Sequence, residues 1–306
     1  MLEPWIAFTL AAALLQSIRF MLQKRLSDTG LSAVGATFAR FAFAAPVAGL
    51  ALLAWLTLEG RGLPSLSGTF WAYAVMAGSS QILATICVVA LFKQRNFAVG
   101  ITFKKSEVLQ TAFLGLVMLG DAISQAGGIA LAIGVIALLI LSESGDGATG
   151  EAESSWLARF ATRSAGLGLL SGALFAMSAV GVRGATLQVL DVSTGLRALV
   201  TLSMVTAMQA SAMLLWFLWR DRQQPVKVLR AWRAVALTGA ASLGGSFCWF
   251  AAFSLQTAAY VYALGQVEIL FSMVIGALIL KERLRRQEVL GIVLLMISIV
   301  VLVLYG

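Results

Sequence analysis

Ten apolar stretches, each close to 20 residues long, follow one another along the chain with short polar breaks between them. They occupy residues 5–22, 34–58, 70–92, 97–119 and 123–141, then 165–186, 192–219, 231–255, 258–280 and 289–305. Each matches the roughly 20 residues that a helix needs to cross about 30 Å of hydrocarbon. Strict apolar/polar alternation is absent, and a closed barrel is the only other way to satisfy backbone groups in lipid, so the pattern predicts ten membrane-spanning α-helices. Residues 1–4 carry Glu3 and no basic residue, so the first stretch is expected to stay as a helix and not to be cleaved as a leader.

One polar run interrupts the series. Residues 143–155 read ESGDGATGEAESS, an acidic linker composition, and divide the chain into a first five-helix unit (1–142), a linker (143–164) and a second five-helix unit (165–306). Just after the run, Trp156, Leu157 and Phe160 share one side while Arg159 and Arg163 lie elsewhere, the pattern of a short helix along the interface. The two units repeat each other at a fixed offset of 161 positions: Trp71 and Trp232, Gly78 and Gly239, Cys87 and Cys248, Phe92 and Phe253, Glu107 and Glu268, Gly115 and Gly276, Asp121 and Glu282. Five is an odd number of spans, so the second copy must enter the membrane from the opposite side. The expected fold is an all-α membrane protein, two inverted five-helix repeats around a central cavity.

Composition agrees: 60% hydrophobic residues, 12% charged and a mean hydropathy of +0.92 exceed what 306 residues of soluble domain can bury. The net charge of +8 is concentrated in the loops after odd-numbered stretches. Those loops hold Lys24, Arg25, Lys93, Arg95, Arg159, Arg163, Arg220, Arg222, Lys227, Arg230, Arg233, Lys281, Arg283, Arg285 and Arg286, against Arg61 and Arg183 on the other side. The positive-inside rule then puts the basic loops in the cytoplasm and both termini outside. Spread over loops, this charge is not a nucleic-acid surface. With no histidine, serine-protease triads, imidazole haem ligation and histidine proton relays are excluded. Cys87 and Cys248 read as small apolar packing residues. Gly166, Gly168 and Gly172 superficially resemble a dinucleotide fingerprint but lie within a span with no strand before it, which favours close helix packing.

Ionisable groups inside apolar stretches are costly and mark functional sites by default. Glu107 and Glu268 are the foremost, at matching positions of the fourth and ninth stretches. At helical spacing Lys104, Glu107 and Thr111 share a face, with Ser106 and Gln110 beside it. Two readings stand: a buried structural pair between Lys104 and Glu107, or the wall of a water-filled cavity. Glu268 follows Gln266 and has no basic neighbour three or four positions away, so its partner must come from another helix. Arg40 and Arg197, offset by 157, are nearly equivalent between the units and are candidates to neutralise a glutamate or a substrate carboxylate; a purely structural role is equally open. Gln16 and Gln23 share a face of the first helix, and Ser79, Ser80, Gln81 and Thr85 lie on the third. The run GAASLGGSFCW (239–249) either permits tight helix contact or opens a wall for a ligand. Trp249, deep in its stretch, is a candidate aromatic surface, whereas Tyr260 and Tyr262 fit the headgroup belt as well.

With those residues in view, TFKKSEVLQTAFLGLVMLGD (102–121) and ALGQVEILFSMVIGALILKERL (263–284) resemble the EamA-type transporters of the drug/metabolite transporter superfamily. Glu107, Glu268, Asp121 and Glu282 match acids that recur in that family. The proline that usually follows the glutamate is replaced by Val108 and Ile269, and the resemblance spans nearly the whole chain. It implies a multi-pass exporter of small metabolites in a bacterial inner membrane, with the YddG-like amino-acid exporters as the nearest group. No cofactor or metal is expected, and a monomer is, because the duplication supplies internally what two antiparallel subunits would. A cavity holding carboxylates and cations suits a zwitterion, so amino acids of broad range are the favoured cargo. A multidrug or cationic-compound exporter of the same superfamily is the rival. A nucleotide-sugar carrier lacks intramembrane basic residues beyond Lys104 and Lys105, and an intramembrane enzyme lacks a catalytic set at either face.

Overall fold

The computed structural model describes residues 3–27, 31–91, 104–144, 163–268, 271 and 286–305. The regular elements among them are all helices, eleven in chain order: α1 (Pro4–Ser27), α2 (Ala33–Glu59), α3 (Gly68–Leu91), α4 (Glu107–Leu119), α5 (Gln125–Ser144), α6 (Arg163–Leu187), α7 (Thr194–Arg220), α8 (Gln223–Arg230), α9 (Trp232–Leu255), α10 (Ala258–Gly265) and α11 (Arg286–Tyr305). Six of them, α1, α2, α3, α6, α7 and α9, are long and apolar enough to cross a membrane, with shorter apolar helices at Glu107–Leu119, Gln125–Ala137 and Leu290–Leu302. The chain is a multi-pass membrane protein. The interfacial stretch expected at 156–163, the basic loops at 93–95 and 281–285, and Phe92, Gly276 and Glu282 of the repeat pattern lie outside the described residues, Arg163 apart.

The helix limits follow local chemistry. Ser32 and Ser193 sit just before α2 and α7, and their hydroxyls accept hydrogen bonds from the backbone N–H groups of Gly35 and Leu196. Gly60 and Gly120 end α2 and α4 in the left-handed region, φ 63° and 68°, where only glycine sits without strain. The turn at Gly120 folds the chain back, so that Asp121 N–H donates to Gly115 O and the aspartate lies over that glycine.

Helices pack in pairs: α1 on α9, α3 on α6, α2 on α7, α5 on α11. With no solvent-driven attraction between helices in lipid, close approach over small residues and buried polar contacts hold such pairs. A Cβ on Gly184 of α6 would stand 2.6 Å from the Tyr73 ring of α3, and one on Gly239 of α9 would stand 2.5 Å from Phe43 of α2. Ser203 Oγ of α7 donates to Ala48 O of α2, and Ser298 Oγ of α11 donates to Ala130 O of α5, at 3.0 and 2.6 Å. Phe41, Phe70, Phe217 and Phe250 are the largest fully buried side chains.

Two spans expected to be continuous are interrupted. Residues 105–106 form a turn directly before α4, and α10 ends at Gly265 with a turn at Gln266. Ser106 (φ −61°, ψ −11°) and Gln266 (φ −63°, ψ −11°) take nearly the same tightened conformation, near that of a 3₁₀ turn. One break falls directly before Glu107 and the other two residues before Glu268. Neither Glu107 nor Glu268 is therefore a mid-helix residue: Glu107 opens α4, where the helix dipole favours an acid.

Candidate functional site

The two breaks meet at an enclosed polar cavity between helices that precede the linker and helices that follow it. From the first unit, Gln16 and Arg19 of α1, Arg40 of α2, Gln81 of α3, Lys104 and Glu107 line it. From the second come Phe175, Ser178 and Val182 of α6, Ser246, Trp249 and Phe253 of α9, Tyr262 and Gln266 around the end of α10, and Glu268. Space open to a water-sized sphere is only about 30 Å³, about one water molecule, so the walls must part before a metabolite fits.

Lys104 and Glu107 form one ion pair in it. Lys104 Nζ donates to both carboxylate oxygens, at 2.9 and 2.8 Å, and lies 4.9 Å from the Phe175 ring centre. Both residues are buried. The turn that carries Lys104 packs on Gly172 of α6, where a Cβ would come 3.0 Å from Lys104 O and 3.3 Å from Ser106 Oγ. Gly172 thus serves close packing, whereas a Cβ on Gly166 would meet nothing within 4 Å. Thr111 is buried next to the pair but does not line the cavity; its hydroxyl donates to Glu107 O at 2.6 Å.

Gln16 joins the two units at the opposite wall. Its Oε1 accepts from Trp249 Nε1 at 3.1 Å and from Arg19 Nη2 at 3.4 Å, while its Nε2 donates to Glu268 Oε2 at 3.1 Å. Glu268 therefore finds its partner across the linker, on α1. Arg19 Nη1 also donates to Gln23 Oε1 at 2.9 Å. Among the described residues Arg40 donates to three hydroxyls: Nε to Ser242 at 2.6 Å, Nη1 to Thr85 at 3.3 Å, Nη2 to Ser246 at 3.1 Å. Gln81 accepts from Gln209 Nε2 at 2.9 Å. Trp249, Phe253 and Tyr262 form an aromatic wall with ring centres 5.4–5.7 Å apart.

The run 239–249 does both things its composition allows. Gly239 packs on Phe43, Gly244 and Gly245 pack on Leu15, and Ser242 and Ser246 turn their hydroxyls to Arg40. Cys248 is half-buried and Cys87 buried, both as free thiols. Arg197 does not reach the cavity. It is the fourth residue of α7 where Arg40 is the eighth of α2, one helical turn or about 6 Å nearer the helix end, and its Nε donates to Val189 O at 3.0 Å.

Three participants escape the sequence reading. Arg19 lies on the Gln16–Gln23 face, so polar residues at positions 16, 19 and 23 were the available signal. Tyr262 faces the cavity, with its hydroxyl donating to Phe175 O at 3.3 Å, and is not a headgroup anchor. Arg183 is not a loop charge: its Nε and Nη2 donate to Asp121 at 2.7 and 3.0 Å, and its Nη1 donates to Phe253 O and Gln256 O at 2.9 and 2.7 Å.

Comparison with known proteins bears on this geometry. One solved structure, a crystal structure of a protein, aligns over 96% of this chain and 99% of its own at a TM-score of 0.62 and 14% identity, a likeness of fold alone. Comparison with curated proteins gives no match. The model of the EamA-like transporter family matches residues 163–304. That match runs from the start of α6 into α11, just short of half the chain, and the family it names is one of small-molecule transporters.

Proposed function

We propose that the protein is a secondary transporter that exports small metabolites, with amino acids of broad range as the cargo class, by alternating access. The observation that carries this reading is the enclosed cavity with Arg19, Arg40, Lys104, Glu107 and Glu268 in its walls, drawn from both units and bordered by an interrupted helix from each. Charged groups at that depth have a cost that a substrate pathway explains and packing does not. Helices broken beside the cavity are how carriers expose backbone and side chains to cargo.

The packing pattern supports two inverted five-helix repeats, 1–142 and 165–306. Exchanging α1 with α6, α2 with α7, α3 with α9 and α5 with α11 turns the α1–α9 contact into the α6–α3 contact. The α2–α7 and α5–α11 contacts map onto themselves. Gly78 of α3 meets α7 at Gln209, and its repeat partner Gly239 of α9 meets α2 at Phe43. Two such halves can trade conformations, opening the cavity to each side in turn. Both termini then face the periplasm of a bacterial inner membrane, and a single chain suffices.

For an amino acid the division of labour is direct: guanidinium groups receive the carboxylate, and Glu268 receives the ammonium group. The wall of Trp249, Phe253 and Tyr262 also favours a second reading, export of lipophilic cations, although three of the five charged groups are themselves cationic. The deciding experiment is uptake of labelled amino acids into liposomes holding purified protein. Glu107→Gln with Glu268→Gln should abolish flux, and normal flux in that double variant would remove the role given to the carboxylates. YddG-like amino-acid export predicts tolerance to toxic amino-acid analogues on expression; cation export predicts resistance to lipophilic cations instead.

A further inference from the structure

The cations of this fold fall into two kinds. Lys104 has Glu107 at 2.8 Å and Arg183 has Asp121 at 2.7 Å, each bonded through charge-assisted contacts. Arg19 and Arg40 are as deeply buried, 3% and 4% exposed, yet among the described residues neither has a carboxylate oxygen within 4 Å. Neutral hydroxyl and amide oxygens are their partners. A guanidinium taken out of water and surrounded only by neutral acceptors retains most of its need for an anion. Lys104 and Arg183 each touch an acid; among the described residues Arg40 touches none, and Arg19 has only the more distant charge of Glu268.

The donor count says where an anion attaches. Of five guanidinium N–H groups, Arg40 spends one on each of Ser242, Thr85 and Ser246, and among the described residues nothing takes the second N–H of either terminal nitrogen, the pair a bidentate carboxylate takes. An acceptor for an ammonium group stands in the same cavity. Gln266 is 4% exposed, its Nε2 donates to Tyr262 O, and its Oε1 has no donor among the described residues. It lies two residues before the Glu268 carboxylate. Three cationic and two anionic side chains stand among the described lining residues, and Lys105, beside Lys104, adds positive charge close to Glu268.

We infer that the cargo is an amino dicarboxylate of net charge −1, with its side-chain carboxylate on Arg40, its α-carboxylate drawn by Arg19, and the ammonium group between Gln266 Oε1 and Glu268. The inference rests on the carrier reading above and narrows it. Anionic cargo offsets positive charge in these walls, whereas a zwitterion leaves it in place and a cation adds to it.

The test is uptake by liposomes holding the intact purified protein, with labelled glutamate, leucine and lysine offered separately and then in competition. Glutamate is expected to move, and to compete, about tenfold or more better than leucine or lysine, the size of one charge-assisted contact. Arg40→Gln should lower the glutamate-to-leucine ratio by about tenfold, and Arg40→Lys, which keeps the charge, should lower it less; a ratio is insensitive to how much of either variant folds. Leucine or lysine moving as fast as glutamate in the unaltered protein, or an unchanged ratio in Arg40→Gln, overturns the charge assignment and leaves the carrier intact. Folded, monodisperse protein that moves none of the three removes the carrier reading and the assignment together.

Discussion

Arg183 and Asp121 lie 62 positions apart and meet through two hydrogen bonds, Nε to Oδ2 at 2.7 Å and Nη2 to Oδ1 at 3.0 Å. The remaining terminal nitrogen of Arg183 reaches the carbonyls of Phe253 and Gln256, so one guanidinium ties the end of α4 to the end of α9 through α6. Phe253 lines the cavity, and the tie therefore clasps one end of it.

Loss of that clasp is measurable as stability. Asp121→Asn keeps the shape and removes the charge, and should cost about 1–3 kcal/mol because both side chains are only 13% exposed. A lowered thermal midpoint in detergent is the expected result. Arg183→Lys should cost a similar amount, since an ammonium group cannot hold a carboxylate and two carbonyls in one plane. An unchanged midpoint in both variants would show that the contact holds nothing together.

The Lys104–Glu107 pair allows structure and transport to be separated. Glu107→Gln leaves a buried lysine without its anion and should destabilise by about 3–5 kcal/mol, whereas Lys104→Met with Glu107→Leu should fold nearly normally. Transport is the discriminating readout. If the double apolar variant folds and still carries cargo, the pair is a packing device; the carrier reading expects its flux to be lost.

Gln16 touches Trp249, Arg19 and Glu268 together. Gln16→Met keeps its length and removes all three contacts. Flux should fall by about tenfold or more, the worth of one or two polar contacts in a dry site. Trp249 loses its hydrogen bond in the same variant, so a shift in tryptophan emission should accompany the loss of flux.

Glycines of α6 form an internal series of controls. Gly184→Ala brings a methyl group 2.6 Å from the Tyr73 ring and should cost about 1–3 kcal/mol through overpacking of α3 against α6. At Gly166 nothing lies within 4 Å, so Gly166→Ala should be neutral or stabilising by up to about 1 kcal/mol. Thermal midpoints of the two variants, compared side by side, test the packing directly.

Much of the site was legible because cost is legible: Glu107, Lys104, Gln81, Gln266 and Arg40 are polar groups in apolar stretches, and all line the cavity. What failed has physical causes. The offset of 157 between Arg40 and Arg197 looked like a loop-length difference, but one helical turn decides whether an arginine meets the cavity or a loop carbonyl. Arg19 and Arg183 lie near span ends, where basic residues ordinarily face headgroups, so their burial depends on neighbours far away in sequence. Tyr262 occupies a similar position. The two helix breaks carry neither proline nor a glycine in the left-handed region, so no residue at 105–106 or at 266 announces them. Only their repetition in space, each within two residues of a glutamate, makes them visible.

The tight closure of the central chamber bears on how strongly this protein will be seen to hold anything. Since so little room is present, a ligand associates only with the fraction of molecules whose walls have already moved apart, and the observed dissociation constant is the true one divided by that fraction. If one molecule in a hundred is open, binding measured at equilibrium will look about a hundredfold weaker than the complementarity of the charged groups implies. Substitutions that loosen the clasp at Arg183 should then sharpen apparent affinity even as they weaken the fold.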